Sequence, residues 1–285
     1  MVAVLVPRNK VESLCIALIH NNDFQRNNYV LPKIFEIKDS FSKKFDVKII
    51  FISNQPEIRP HTSSQAIYRK LQYLKLDREW CKYRNLRPKS LAISLPLLMW
   101  DVFNSYTFRR QSGLLWNKKS YIETVVTDKH IRSWNAFSET NCEYLICFED
   151  DIVFKDNSIQ KLENILEFVK NQKDRLIYID LAGGCNLEDL KISNLEIRHD
   201  DYFRYYTKPV TNTACAYLIN KPLINIFLDN ILRKPHLRLI GIDWMINKLF
   251  ININPDRNTF FCVHSDPSIF LHGTKSGEYK SWNSD

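Results

Sequence analysis

Three adjacent carboxylates follow an apolar run in the middle of the chain. The run extends from Tyr144 to Phe148, and the acids are Glu149, Asp150 and Asp151. A short run of aromatic and aliphatic residues is typical of a buried strand, and acids at its end are usually paired or coordinated. Hard divalent cations prefer oxygen ligands. The pattern fits a cation site, and it also fits a strand that has reached solvent.

The elements before these acids predict a parallel βαβ opening. Leu14 to His20 and Val47 to Ser53 are short β-type runs, separated by a mixed polar and apolar segment from Tyr29 to Phe45 that we assign to a helix. Ligands of open α/β sheets bind at the carboxyl ends of the strands. Because the acids also follow a strand, the topology would bring them to that edge.

The stretch from about residue 61 to 119 alternates aromatic and basic residues, as in Tyr68-Arg69-Lys70. We interpret it as a helical insertion of two helices that break near Pro88. It fits a solvated helical face, or a surface that lies against an acceptor or a membrane. Tyr121 to Val126 then predicts another strand, and Thr127 or Asp128 caps a helix through Glu139.

Helices and strands alternate again after the acids. No repeat or composition break marks a second domain, so we expect one domain over residues 1–285 with a loop-like tail from Ser265. The predicted elements are a helix over Ile159–Lys170, strands over Arg175–Leu181, Thr213–Ile219 and Thr259–Val263, and helices starting near Pro222 and over Gly241–Phe250.

Composition narrows the classes of partner. The net charge of +8 favours anionic partners, but no common RNA- or DNA-binding motif is present, so nucleic acid is not expected. Seven cysteines lie mostly in apolar runs without zinc-finger spacing, which indicates reduced thiols. The N-terminal residues do not resemble a signal peptide, and the apolar run Leu91 to Trp100 is too short to span a bilayer. We expect a cytoplasmic protein, with peripheral membrane contact left open.

Three segments together resemble the family 25 glycosyltransferases, the lipooligosaccharide and collagen galactosyltransferase type. Residues 129–137 followed by 145–154 resemble that family's Ser-His helix and Glu-Asp-Asp strand end. Residues 212–220 with Ile242-Asp243-Trp244, and residues 269–273 with Ser276-Gly277, resemble its later segments. The chain departs from the family in three places. Lys129 replaces the serine, residues 20–26 replace the Asn-Leu-Asp-Arg opening, and the insertion over residues 61–119 has no counterpart.

The resemblance implies a GT-A fold, with a mixed, mostly parallel sheet flanked by helices and a metal-dependent site. Mn²⁺ or Mg²⁺ would be held by Asp151 with Glu149, and His272 would be a third contact to the ion or the diphosphate. A lone histidine is more often not a ligand. His264 and Asp266 are weaker candidates for the same role.

The same resemblance makes Asp243 the candidate base that deprotonates the acceptor hydroxyl in an inverting displacement. Its alternative role is to cap the helix that follows. Trp244 either stacks on a sugar or packs in the core, and His130 is expected to orient a strand or an acid. The candidate donor-binding residues are Asn21, Asn22, Arg26, Glu149, Asp150, Gly183, Gly184 and Lys275.

The expected function is transfer of a hexose, galactose by default, from a UDP-sugar to a surface glycan or a lipid-linked precursor. Two other classes stay open. A binding module for glycans or nucleotide sugars would keep the fold without turnover. A nuclease or phosphotransferase would use the acids for Mg²⁺, but no glycine-rich phosphate loop is present.

Overall fold

The computed structural model describes residues 12–53, 63–88, 90, 92–96, 99–100, 113–254 and 259–280. The helices are α1 (Phe24–Phe41), α2 (Ser63–Tyr83), α3 (Gly113–Ser138), α4 (Ser158–Val169), α5 (Lys221–Arg233), α6 (Ile242–Ile253) and α7 (Gly273–Ser276). The strands are β1 (Ser13–Ile19), β2 (Asp46–Ile52), β3 (Tyr144–Glu149), β4 (Ile152–Phe154), β5 (Leu176–Asp180), β6 (Ala182–Gly183), β7 (Glu196–His199), β8 (Phe203–Tyr206), β9 (Ala216–Asn220), β10 (Phe260–Ser265) and β11 (Phe270–His272).

A mixed eight-stranded sheet forms the centre of the fold, in the order β2-β1-β3-β9-β5-β10-β8-β7. Six of these strands run in one direction and only β8 and β9 oppose them, as the pairings require. The predicted α/β class and the mostly parallel mixed sheet are therefore confirmed. A second sheet in the described residues, β4-β11-β6, lies beside the carboxyl end of β3.

Apolar residues bury both faces of the central sheet. In β1, Cys15 and Ala17 belong to one core cluster, while Leu14 and Ile16 belong to the other. This alternation follows from the two-residue repeat of a strand. Helices α1 and α4 cover the face of Leu14, and α2, α3, α5 and α6 cover the face of Cys15. The result is a three-layer arrangement consistent with a Rossmann-like fold.

The predicted strand from Tyr121 to Val126 is wrong, because these residues lie inside α3. Tertiary packing overrides their β-type composition: Ile131 and Trp134, further along the same helix, are buried in the core. The hydroxyl of Thr127 also donates to the carbonyl of Glu123 one turn earlier, as helical threonines can.

The first helix of the region assigned to a helical insertion packs one face against the core. Trp80 in α2 is buried, and Arg69 and Arg84 are buried too. The Nε of Arg69 donates to the Leu239 carbonyl at 2.6 Å, so this is not a solvated basic face. The boundary at 119 is wrong, because α3 begins at Gly113. Most of the second predicted helix lies outside the described residues.

The tail is not loop-like throughout. Residues Phe270–His272 form β11, which pairs with β4 and β6, and Gly273–Ser276 form the short helix α7. Apolar contacts explain this order, because the ring of Phe270 packs edge-on against Phe148 and Phe154. The tail thereby returns to the end of β3.

Candidate metal centre and adjoining cavity

Strand register brings distant residues together at the end of β3. Ile19 is paired with Glu149, so the loop after β1 lies beside the three acids. The antiparallel β9 begins at this edge, and the Cys215 carbonyl accepts from the Glu149 amide at 2.8 Å. In the small sheet Ile152 is paired with His272. The imidazole is therefore placed next to Asp151.

Asp151 is buried and surrounded by polar groups from two other segments. Its Oδ2 lies 3.1 Å from Nδ1 of His272 and accepts the hydroxyl of Thr274. Its Oδ1 lies 3.6 Å from the thiol sulfur of Cys215. Its carbonyl accepts the Gly273 amide at 2.7 Å, and a Cβ on Gly273 would lie only 2.6 Å from that oxygen. A larger residue at position 273 would push the tail away from Asp151.

The contact between His272 and Asp151 is close but does not have hydrogen-bond geometry. Nδ1 of His272 is buried and has no hydrogen-bond partner among the described residues, despite its 3.1 Å distance from the carboxylate. Donor atoms of Asp151, Cys215 and His272 all lie within 4.8 Å of one another. Buried polar atoms are rarely left without a partner. The residues present therefore fit a bound divalent ion.

Without an ion, charge interactions at this centre favour the ionised form of Asp151 and the protonated forms of His272 and Cys215, which would release their protons on binding a metal. Burial raises the pKa of Asp151, but His272 and Thr274 outweigh it and the net pKa is lowered. Burial lowers the pKa of His272, and the Asp151 carboxylate reverses this to a net rise. Burial and the nearby acids raise the pKa of Cys215 well above its usual range.

Asp150 faces the opposite way from Asp151 and is engaged by the chain itself. Its Oδ1 lies 2.8 Å from Nη1 of Arg26, and its Oδ2 accepts the Asn21 amide at 2.8 Å. The side chains of Asp150 and Arg26 are 4% and 6% exposed, so this is a buried ion pair. Burial raises the pKa of Asp150, and Arg26 offsets only part of the rise.

The candidate donor contacts in the first loop occupy different positions. Arg26 is held by Asp150 and also donates to the Lys280 carbonyl at 2.7 Å. The side-chain oxygen of Asn21 accepts from the buried ammonium of Lys129. Asn22 is exposed and has a left-handed backbone, with φ of 58°. Arg26 and Asn21 thus hold the first loop against Asp150 and Lys129, whereas Asn22 lies at the surface.

Glu149 is held by His130. Oε1 of Glu149 lies 2.9 Å from Nε2 of His130, whose Nδ1 lies 2.9 Å from the hydroxyl of Tyr217. Trp134 also donates to this hydroxyl, at 2.8 Å. Burial lowers the pKa of His130, but Cys147 and Glu149 raise it to about 9. The prediction that His130 orients an acid is confirmed.

Asp243 lies at the start of α6 and faces the same centre. Its Oδ1 accepts the Ala214 amide at 2.6 Å, and in the described part of the chain its other oxygen has no hydrogen-bond partner. Burial and the charge of Glu149 raise its pKa to about 6. A carboxylate with this pKa is a better base than ordinary aspartate. Asp243 bonds to the β9 segment and not to the first turn of its own helix. Neighbouring Trp244 packs edge-on against Tyr73, in agreement with a core role.

A cavity of about 420 Å³ opens beside His272. Gly183 and Gly184 form part of its wall, and the exposed Lys275 lies on its rim. At Gly184 a Cβ would lie 1.9 Å from a methyl carbon of Thr213, so no larger side chain fits without movement. The predicted residues Gly183, Gly184, His272 and Lys275 therefore share one cavity.

Four further residues were either weaker candidates, as His264 and Asp266, or were not predicted to belong to the site, as Cys215 and Thr274. His264 lines the cavity, but it bonds the Val210 carbonyl at 2.9 Å, and burial lowers its pKa to about 4. Asp266 forms an ion pair with Arg204. Cys215 and Thr274 were not predicted. Cys215 lies inside the segment 212–220 that resembles the family, but a cysteine in an apolar run gave no sign of a ligand. Thr274 follows the recognised His-Gly pair and could have been considered.

Neither a scan against protein-family models nor a search of curated proteins finds a match to this chain. No helix in the described residues has both the length and the apolar content that a membrane span needs.

Proposed function

We propose that this chain is a metal-dependent glycosyltransferase with a GT-A fold, similar to family 25, that moves a hexose from a UDP-sugar to a glycan or lipid-linked glycan. The proposal rests mainly on one observation. Asp151, His272 and Asp243 lie close together at one edge of the sheet, beside a cavity. Asp151 and His272 are 3.1 Å apart, and each is positioned by a different part of the chain. This combination offers a cation site and a base together.

Asp151 and His272 would hold Mn²⁺ or Mg²⁺, with Glu149 contacting the ion or one of its waters. A bound divalent ion would neutralise negative charge on the donor diphosphate. The rim ammonium of Lys275 adds a further positive charge at the cavity mouth. Gly183 and Gly184 would let the sugar approach the backbone closely.

Asp243 would remove the proton from the acceptor hydroxyl. The acceptor oxygen then bonds to the anomeric carbon on the face opposite the diphosphate, as the bond from that carbon to the leaving oxygen breaks. This single displacement inverts the anomeric configuration. The pKa of about 6 leaves Asp243 ionised at pH 7 and still basic enough to accept a proton.

The segment between α2 and α3 would contact a membrane that carries the acceptor glycan. Ile93, Leu95, Met99 and Trp100 are exposed apolar side chains on the segment between α2 and α3. Together with the net charge of +8, they would suit the surface of an anionic bilayer. Galactose is the default donor sugar.

One observation favours the alternative of a non-catalytic binding module. Arg26 and the side chain of Asn21, which were expected to contact the nucleotide, are engaged by Asp150 and Lys129 instead. Such a module would bind a nucleotide sugar or glycan without transfer.

A donor screen separates the two functions. The protein is incubated with a panel of UDP-sugars, Mn²⁺ and simple glycoside acceptors, and UDP release and product mass are measured, with NMR for the anomeric configuration. Glycosyl transfer or donor hydrolysis that EDTA abolishes would support the enzyme. Calorimetric binding of UDP or glycan without any turnover would reject the enzyme in favour of the module.

A further inference from the structure

The metal centre contains a donor of a different chemical class from its carboxylates. Cys215 precedes β9 and its side chain is buried. Its sulfur lies 3.6 Å from Oδ1 of Asp151, and Oδ2 of the same carboxylate lies 3.1 Å from Nδ1 of His272. The carboxylate thus has sulfur on one side and nitrogen on the other.

The spacing of these donor atoms is compatible with one shared cation. One ligand atom from each of the three residues lies within 4.8 Å of those of the other two. With metal bonds of about 2.3 Å to sulfur, 2.05 Å to nitrogen and 2.1 Å to oxygen, tetrahedral angles place sulfur about 3.6 Å and nitrogen about 3.4 Å from a single ligating oxygen. The sulfur lies 3.6 Å from Oδ1 and the nitrogen 3.1 Å from Oδ2, so binding one ion requires the carboxylate to turn one oxygen towards both.

We propose that Cys215 is a third ligand of this centre, which therefore selects a thiophilic divalent ion, in the order Zn²⁺, then Mn²⁺, then Mg²⁺. This inference rests on the cation site of the proposed function and changes its preferred ion from Mn²⁺ or Mg²⁺ to Zn²⁺. Thiolate ligands suit zinc and cobalt, whereas Mg²⁺ prefers oxygen donors and retains its waters. On binding, the metal–sulfur bond replaces the S–H bond and the proton leaves to solvent.

The position of His272 supports this reading independently of the sulfur, because its buried Nδ1 lies 3.1 Å from the Asp151 carboxylate without hydrogen-bond geometry. If Cys215 only filled space and donated its S–H to Asp151, this contact between nitrogen and carboxylate would still lack a well-directed hydrogen bond. A single ion gives the sulfur, the nitrogen and the carboxylate a common partner. Thr274 and the Gly273 amide, which bond Asp151, would act as its support.

The test uses the full chain with Cys185→Ser, since Cys185 is exposed and lines the cavity. This protein is loaded with Zn²⁺, and X-ray absorption is recorded at the zinc edge. We expect one sulfur neighbour at about 2.3 Å together with nitrogen and oxygen neighbours. A zinc site without sulfur, or failure to bind Zn²⁺ at all, would overturn the proposal.

A matched variant gives a second readout. Co²⁺ bound to the Cys185→Ser protein should give a sulfur-to-cobalt charge-transfer band in the near ultraviolet, and adding Cys215→Ser should remove it. We expect Zn²⁺ affinity to fall by about tenfold or more in that variant, while Mg²⁺ affinity does not fall. Persistence of the band would assign the sulfur elsewhere and overturn the proposal. The absorption measurement decides the question even if Cys215→Ser does not fold.

The two proposals fail separately. A sulfur-ligated ion in a protein without any turnover would leave this inference standing and reject the transferase. Turnover with Mn²⁺ in a protein whose bound zinc lacks sulfur would do the reverse.

Discussion

Asp150 and Asp151 are neighbours in the chain and both are buried, yet the structure gives them different surroundings. Asp150 faces the first loop, where it pairs with Arg26 and the Asn21 amide. Asp151 faces the tail, where His272 and Thr274 approach it. The pKa of Asp150 is raised mainly by burial, whereas the groups from the tail lower the pKa of Asp151 despite its burial.

This difference indicates that Asp150 supports the fold, whereas Asp151 is available to bind a cation. A carboxylate already paired with a guanidinium has little capacity left for a cation, and removing one partner of such a buried pair is strongly destabilising. A carboxylate beside an imidazole nitrogen without a hydrogen-bond partner is suited to bind one. We therefore expect changes at Asp151 to act on cation binding and changes at Asp150 and Arg26 to act on folding.

The largest effect is expected for Asp151→Asn. Loss of the charge between His272 and Cys215 should weaken cation binding and lower transfer by about 10³-fold, because a bound metal supplies several kcal/mol of stabilisation to such a reaction. Calorimetric titration with Mn²⁺ and UDP-release kinetics would measure both. Circular dichroism should show an intact fold. Full activity in Asp151→Asn would remove the proposed mechanism.

A smaller loss, of about 10²–10³-fold in kcat, is expected for Asp243→Asn, because general-base catalysis is worth this much. In the unmodified protein kcat/KM should fall as the pH drops below about 6, since Asp243 must be ionised to accept a proton. The variant should lose this acid limb in a pH–rate profile. If the limb stays at the same pH in the variant, another group is the base.

The contribution of Asp243 to stability should depend on pH in the opposite sense to its contribution to activity. The pKa of Asp243 is raised from 3.8 to about 6 in the folded protein, so folding favours the protonated form. Its contribution to stability is present at low pH and is lost as the pH rises through this window. Asp243→Asn should therefore be at least as stable as the unmodified protein at pH 8, measured by urea unfolding.

Arg26→Met tests whether the ion pair between Arg26 and Asp150 stabilises the fold. It leaves the Asp150 carboxylate buried without its partner, which should lower the free energy of unfolding by about 3 kcal/mol at pH 7.5. Because the pKa of Asp150 is already raised, protonation should restore part of this loss as the pH falls. Urea unfolding at two pH values would measure the change.

The double variant Arg26→Met with Asp150→Asn is the control for that experiment. Removing both charges should recover most of the stability, and cation binding should stay within about twofold, the usual range for changes outside a site. Any loss that remains belongs to the contacts of Arg26 with the Lys280 carbonyl and the Tyr279 ring. A double variant that cannot bind Mn²⁺ would make Asp150 a ligand after all.

The sequence predicted the longer strands β1, β2, β3, β5, β9 and β10 because their cores are short apolar runs, as in Tyr144–Glu149. It did not predict the short strands β4, β6, β7, β8 and β11. It failed for residues 121–126, where packing of a long helix overrides β-type composition. It also could not separate Asp150 from Asp151. Their partners Arg26 and His272 lie more than a hundred residues away and arrive only through tertiary pairing, in the case of His272 through β11. Cys215 lies in the recognised segment 212–220, but nothing in that segment marked its thiol as a ligand.

The smallest effect on transfer is expected for Lys129→Met. The buried ammonium of Lys129 donates to the His20 carbonyl at 2.8 Å and to the Asn21 side chain, so it ties α3 to the first loop. Burial lowers the pKa of Lys129 to about 8, against the opposing charges of Asp150 and Glu149.

Without the Lys129 ammonium the first loop loses two hydrogen bonds, at about 1 kcal/mol each. Because Asp151 and His272 do not contact Lys129, the KM for the donor should rise about five- to tenfold while kcat is retained. Lys43→Met, at an exposed position, is the matched control and should leave both constants unchanged. A fall in kcat at constant KM would show instead that Lys129 influences the cation bound at Asp151. Residues of α3 would then take part in the chemistry, and would not only support the first loop.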